Sequence, residues 1–172
     1  MLDYCSNFIK KLKGVKMKKS LLFCMLTLLF GAVMLHAQSA ERITTMLNTE
    51  KATYGQVAYI AAVYQDLVPE SADEAQAVKA LAKAGIITSS AQPADVIRLG
   101  TASFICAQAT GMKGGLWYTI HPCARYAFRQ LKADNIIPAA ADPAMIITGR
   151  DVLGIFNGCL KNYTSDTSEA SK

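Results

Sequence analysis

A shift of fifty positions lays one stretch of this chain on another. Ala77, Leu81, Ile86, Ile87, Pro93, Ala94 and Ile97 fall on Ala127, Leu131, Ile136, Ile137, Pro143, Ala144 and Ile147. The same shift puts Val78 on Phe128, Lys79 on Arg129 and Ile105 on Ile155. The order of residue types is shared too. A helix-like stretch leads to an Ile-Ile pair, a small-residue loop, a proline and a second helix-like stretch. Self-similarity at this spacing marks one supersecondary unit used more than once, because a single unit cannot bury its own apolar face. No catalytic group recurs or clusters with the repeat, so the pattern points away from an enzyme.

Inside the repeat the apolar residues keep helical spacing. Val57, Ile60, Ala61 and Tyr64 follow i, i+3, i+4, i+7. Ala102, Ile105, Cys106 and Ala109 repeat that stripe, and so do Val152, Ile155, Phe156 and Cys159. Between them, Ala75, Val78, Leu81 and Ala82 form one further stripe, and Ala124, Ala127, Phe128 and Leu131 another. Thr53 with Gln56, the run Ser71-Ala72-Asp73-Glu74, and Thr148 with Asp151 read as helix-opening capping boxes. Pro122 suits a first helical position, and Gly85 and Asn135 suit left-handed helix ends. Leu116-Trp117-Tyr118 reads as an aromatic insertion. The order A, B, A, B, A predicts a compact all-α bundle over 53–160. It holds two complete helix-loop-helix units and an opening half, with Ile86-Ile87 and Ile136-Ile137 as short extended links.

The ends read differently. Met17-Lys18-Lys19, an apolar run from Leu21 to Leu35, and Leu35-His36-Ala37 have the form of a secretory signal peptide over 1–37, with Met17 an alternative start to Met1. The run falls short of the ~20 residues of a spanning helix, so no permanent membrane anchor is expected. Residues 38–52 read as a polar linker and 161–172 as a disordered tail. Six of the 18 Lys and Arg and one of the 13 Asp and Glu lie in the leader, which leaves twelve of each. A formally neutral exported chain lacks, by count, the basic face that a nucleic-acid partner wants. Cys106, Cys123 and Cys159 remain. Their odd number allows one internal bridge or three thiols.

The sequences AVKALAKAGII (77–87) and ITGRD (147–151) are similar to the two motifs of S-layer homology (SLH) domains. Those modules run helix, "GII", a loop with proline, then an "ITRAE"-type helix start. Val96-Ile97-Arg98 is a further, poorer copy. In ITGRD a glycine, Gly149, stands between the threonine and the arginine. The resemblance spans roughly 53–160. It implies a three-fold-like bundle that holds cell-envelope polysaccharide in grooves between units. It also nominates Arg98 and Arg150 as motif arginines and Asp151 as the motif acid. A guanidinium fork can hold a sugar-borne carboxylate or phosphate with two bonds.

Each candidate has a plainer role beside it. Arg98 and Arg150 either grip an anionic glycan or solvate helix starts and pair with Asp95 and Asp151. Trp117 either stacks on a sugar ring or plugs a gap between repeats. His121 and Cys123 are two potential ligands and do not make a metal site. Met112-Lys113-Gly114-Gly115 lacks a phosphate-loop frame, and no cofactor is implied. The expectation is an exported, non-catalytic envelope module that binds cell-wall or surface polysaccharide through Arg98, Arg150, Asp151 and Trp117. The alternative is a periplasmic structural or protein-interaction module.

Overall fold

Helix starts are set by side chains that accept orphan N–H groups. The computed structural model describes residues 40–164, and in it Thr53 caps α2 (Tyr54–Tyr64) in a reciprocal box with Gln56. Asp73 caps α3 (Glu74–Lys83) in a box with Gln76, two residues later than the Ser71 box expected. Thr148 caps α7 (Gly149–Tyr163) in a box with Asp151. Between them lie α4 (Leu99–Ala109), the five-residue α5 (Leu116–Ile120) and α6 (Ala124–Ala133). The N-cap of α6 is Cys123, so Pro122 precedes the helix rather than opening it. Residues 40–47 form a further helix, α1. The signal peptide read over 1–37 and residues 165–172 of the expected tail lie outside the described residues.

The bundle is all-α. Among the described residues the only β pairing is two isolated bridges, Thr53 with Val96 and Arg98 with Ile146. α2 packs on α3 and α4, and α4 packs on α6 and α7. Tyr64 and Phe156 close the contact of α2 with α7, edge to face at 5.5 Å between ring centroids. The core holds Val57, Ala61, Leu81, Ile97, Ile105, Leu131 and Val152, drawn from every predicted stripe.

The fifty-residue shift survives in three dimensions. Ala77 and Ala127, and Leu81 and Leu131, are equally buried. Gly85 and Asn135 both take left-handed backbone, at φ 75° and 57°. The following N–H then folds back: Ile86 donates to Leu81 at 3.0 Å and Ile136 to Leu131 at 2.9 Å. This double closure is the Schellman ending. It explains one departure from expectation. The Ile-Ile pairs are not extended links but bends that finish each B helix, since the left-handed cap turns the chain back on the helix.

The units join through backbone at the starts of the A helices. Tyr54 N–H donates to the Asp95 carbonyl and Gly55 N–H to that of Pro93, both at 2.9 Å. Leu99 and Gly100 repeat this with Met145 and Pro143, again at 2.9 Å. Gly149 N–H donates to Thr49 at 2.9 Å, which returns the chain to its beginning. Inside this circuit Ile97 donates to Ala52 at 2.9 Å, and Ala52 to Ile147 at 2.8 Å. Ala52, Ile97 and Ile147 each precede an N-cap and are all buried. The A helices are therefore linked in a cyclic, three-fold-like order.

Two segments differ from expectation at the ends. Of the expected linker over 38–52, the described residues 40–52 are not simply a linker. α1 buries Met46 in the core, and the Arg42 guanidinium bonds the Ala72 carbonyl and lies 4.8 Å over the Tyr59 ring. Its polar composition hid this, because one apolar side chain and one cation suffice to seat it. Lys161, Asn162 and Tyr163 continue α7 rather than opening a tail. The Tyr163 hydroxyl bonds Asp134, which holds that last turn.

Leu81→Ala, Leu131→Ala and Ile137→Ala are each expected to cost roughly 2–5 kcal/mol, as buried aliphatic truncations do. Urea unfolding measures this, and negligible cost at all three would refute the core described here. Gly149→Ala tests the closure separately. An added Cβ would stand 2.0 Å from the Met46 carbonyl oxygen, so the chain must move. A loss of about 1–3 kcal/mol is expected. Gly154→Ala, on the same helix with nothing within 4 Å, should be neutral or gain up to ~1 kcal/mol.

Candidate functional site

Arg98 takes the N-cap place that Thr53 and Thr148 hold on the other two A helices. An arginine has no acceptor, and α4 accordingly has no side-chain cap bond. Giving up a good cap costs about 1 kcal/mol. The guanidinium instead reaches across the unit boundary, where Nη1 donates to the Ala144 carbonyl at 2.9 Å.

There it lines a groove of about 530 Å³ between the start of α4, α6 and the Pro143-Ala144 turn. Arg125 and Arg129, one turn apart on α6, line the same groove, and Phe128 and Pro143 supply apolar wall. All three arginines are exposed, and among the described residues none forms an ion pair. The cause of the opening is visible in the repeat. In the first unit Glu74 lies over Gly55, with its Oε2 only 2.2 Å from where a glycine Cβ would stand. Desolvation there raises the Glu74 carboxyl, and the Arg42 charge opposes the shift. Fifty residues on, Glu74 becomes Ala124. The carboxylate is gone and the space it filled is open.

Arg129 also borders a second hollow of about 210 Å³, with Trp117 and Tyr126. The two rings stack at 6.4 Å between centroids, 19° from parallel. Trp117 is 65% exposed, so it does not plug a gap between repeats. It presents a ring face held by Tyr126. It stands on α5, and that helix is an insertion. The first two A helices start 45 residues apart and the second two start 50 apart, a difference of one five-residue helix. Gly115 N–H donates to Gln130 Oε1 at 3.1 Å, which ties the insertion to α6.

Arg98 and Trp117 thus lie along one surface, joined by Arg129. Arg150 and Asp151 lie elsewhere, beside a separate apolar pocket. Asp151 Oδ2 accepts from Thr148 N at 2.9 Å and from Thr148 Oγ1 at 2.7 Å. Its carboxylate therefore serves the helix cap. The frame is Thr-x-x-Asp, so Gly149 is the first helical residue and Arg150 the second. Arg98 is an N-cap, and the two arginines are not equivalent positions.

Arg125 and Arg129 are the residues that reading the sequence missed. A signal for them was present. Residues 96–133 contain no Asp or Glu but do contain Arg98, Lys113, Arg125, Arg129 and Lys132. A total count over residues 38–172 averaged this cationic run away.

Among the described residues Cys106, Cys123 and Cys159 are free thiols. Burial pushes Cys106 well above the usual thiol range, and the neighbouring Cys159 adds to the shift. Burial pushes Cys159 up to about 12. Cys123, at the start of α6, is half-buried. Among the described residues no three His, Cys, Asp or Glu gather as metal ligands, and no helix is long and apolar enough to cross a membrane. No family model, curated protein or solved structure matches this chain.

Only thiolate reacts readily with alkylating reagents. A chain trimmed to residues 38–172, which keeps Cys106, Cys123 and Cys159, should therefore take one equivalent of iodoacetamide at pH 8 in the native state, at Cys123, and three after unfolding. Intact-mass spectrometry reads this. Rapid native labelling of Cys106 or Cys159 would contradict their burial.

Proposed function

We propose that this chain is an exported, non-catalytic module of the cell envelope. In this reading it holds an acidic wall or surface polysaccharide in the groove between its helical units. One observation carries the proposal. Arg98, Arg125 and Arg129 surround an open groove with no acid among its lining residues, and Arg129 continues into the exposed Trp117–Tyr126 face. Three guanidinium forks suit carboxylates or phosphates spaced along a chain. An aromatic face suits the apolar side of a sugar ring. The likeness of the two sequence motifs to SLH domains supports the same reading, although the arginine of ITGRD stands one residue later in its helix than that motif has it.

The second reading, a protein-interaction module, is favoured by α5. Leu116 is 70% exposed and Ile120 65% exposed beside Trp117. A sugar ligand has no use for two aliphatic side chains there.

The readings separate in a sedimentation assay with purified sacculi and with soluble acidic and neutral wall glycans. Binding to acidic glycans is expected, weakening severalfold as salt rises from ~50 to ~500 mM, because exposed guanidinium contacts are screened. Replacing Arg98, Arg125 and Arg129 together by alanine should weaken it about tenfold or more, each ten-fold loss being about 1.4 kcal/mol. Lys79→Ala, the repeat partner of Arg129 on the first unit, should leave it unchanged. No glycan binding at any salt would remove the proposal in favour of the protein partner. Binding that survives the triple replacement would remove the arginine groove.

A further inference from the structure

The apolar pocket beside Arg150 is explained by the same fifty-residue comparison. On the first unit Phe104 of α4 packs half-buried against the core, as do Ile86, Ile87 and Ala91. Their counterparts on the second unit are Ile136, Ile137 and Ala141, and all three line the pocket. The counterpart of Phe104 is Gly154, which also lines it. A Cβ built on Gly154 meets nothing within 4 Å. The second unit thus has glycine where the repeat places the Phe104 ring, beside a pocket of about 320 Å³ lined by the counterparts of Ile86, Ile87 and Ala91.

The seat has the chemistry of an aromatic site. Leu99, Ile147 and Ile155 add to its apolar wall, and the space exceeds the ~150 Å³ of an apolar cavity that admits benzene. Its polar groups are at the rim. The Asp151 carboxylate is engaged by Thr148. Arg150 is exposed and makes no hydrogen bond or ion pair among the described residues. The rim cation left to pair is the guanidinium, whose natural counterpart is a carboxylate.

We propose that this pocket takes a phenylalanine side chain from a partner polypeptide, with a carboxylate next to it that pairs with Arg150. The inserted ring supplies what Phe104 supplies in the first unit. The occupant is the partner's own ring, so the site is distinct from the arginine groove and does not depend on a glycan ligand.

The test titrates the full chain with N-acetylphenylalanine, which carries a phenylalanine side chain and an adjacent carboxylate in one small molecule. Methyl resonances of Ile136, Ile137 and Ile155 report binding. Saturable shifts in the ~millimolar range are expected for so small a ligand. N-acetylphenylalanine amide should bind about five- to ten-fold more weakly, and N-acetylalanine not measurably, since it lacks the ring. Gly154→Phe should abolish the shifts with the melting temperature kept or raised, because the chain then carries its own plug. If that variant fails to fold, Gly154→Leu takes its place. Arg150→Gln should bring the acid and the amide to equal affinity. Saturable shifts that persist in the folded plug variant would overturn the proposal. So would the absence of saturable binding in the native chain, or a preference for acid over amide that Arg150→Gln leaves intact.

Discussion

The first N–H groups of an α-helix have no partner inside the helix. In this protein two such groups on α2, two on α4 and one on α7 are bonded by the loop that precedes another A helix. That circuit is the constraint on which the rest depends. A unit alone would leave those donors facing water and the stripe of its A helix uncovered. With the circuit closed, Ala52, Ile97 and Ile147 meet in the interior, and the helices are brought together at their starts. α1 belongs to this arrangement because Thr49, just beyond it, supplies the carbonyl that receives Gly149.

A repeat also acts as its own control. Where the units agree, the shared residues are buried or shape a turn: Leu81 and Leu131, Gly85 and Asn135, Pro93 and Pro143. Where they differ, a space opens. Glu74 against Ala124 uncovers the arginine groove, and Phe104 against Gly154 uncovers the apolar pocket. The five residues of α5 add an aromatic face. The differences gather on one unit, the second. The stability of the fold and its surface chemistry therefore rest on separate sets of residues. The buried thiols belong to the first set. Cys106 and Cys159 lie on the inner faces of α4 and α7, where desolvation keeps them protonated.

Helical periodicity was legible because burying a stripe requires regular spacing, and the five stripes all found the core. The Thr53 and Thr148 boxes were legible for a similar reason, since donor and acceptor lie three residues apart. The Ile-Ile bends were not. A left-handed cap followed by two β-branched residues looks extended on paper, and only the return of the Ile86 and Ile136 N–H groups shows the turn. α1 escaped notice because its seat is made by Met46 and Arg42 against distant residues. Of the candidate ligands, Arg98 and Trp117 come together along one surface. Arg125 and Arg129 join them from α6, 27 and 31 residues after Arg98 in the sequence.

By itself the amino-acid sequence determined the class of fold, the repeat and the places where helices begin, because each depends on residues a few positions apart or on a regular period. Tertiary structure decided which arginines share a groove, that Asp151 is engaged in a cap, and that Gly154 marks an empty seat. Those facts depend on where one unit lies against the next. The lateral geometry is set by backbone hydrogen bonds between Pro93, Pro143, Thr49 and the helix starts, and carbonyl groups carry no signature in side-chain chemistry.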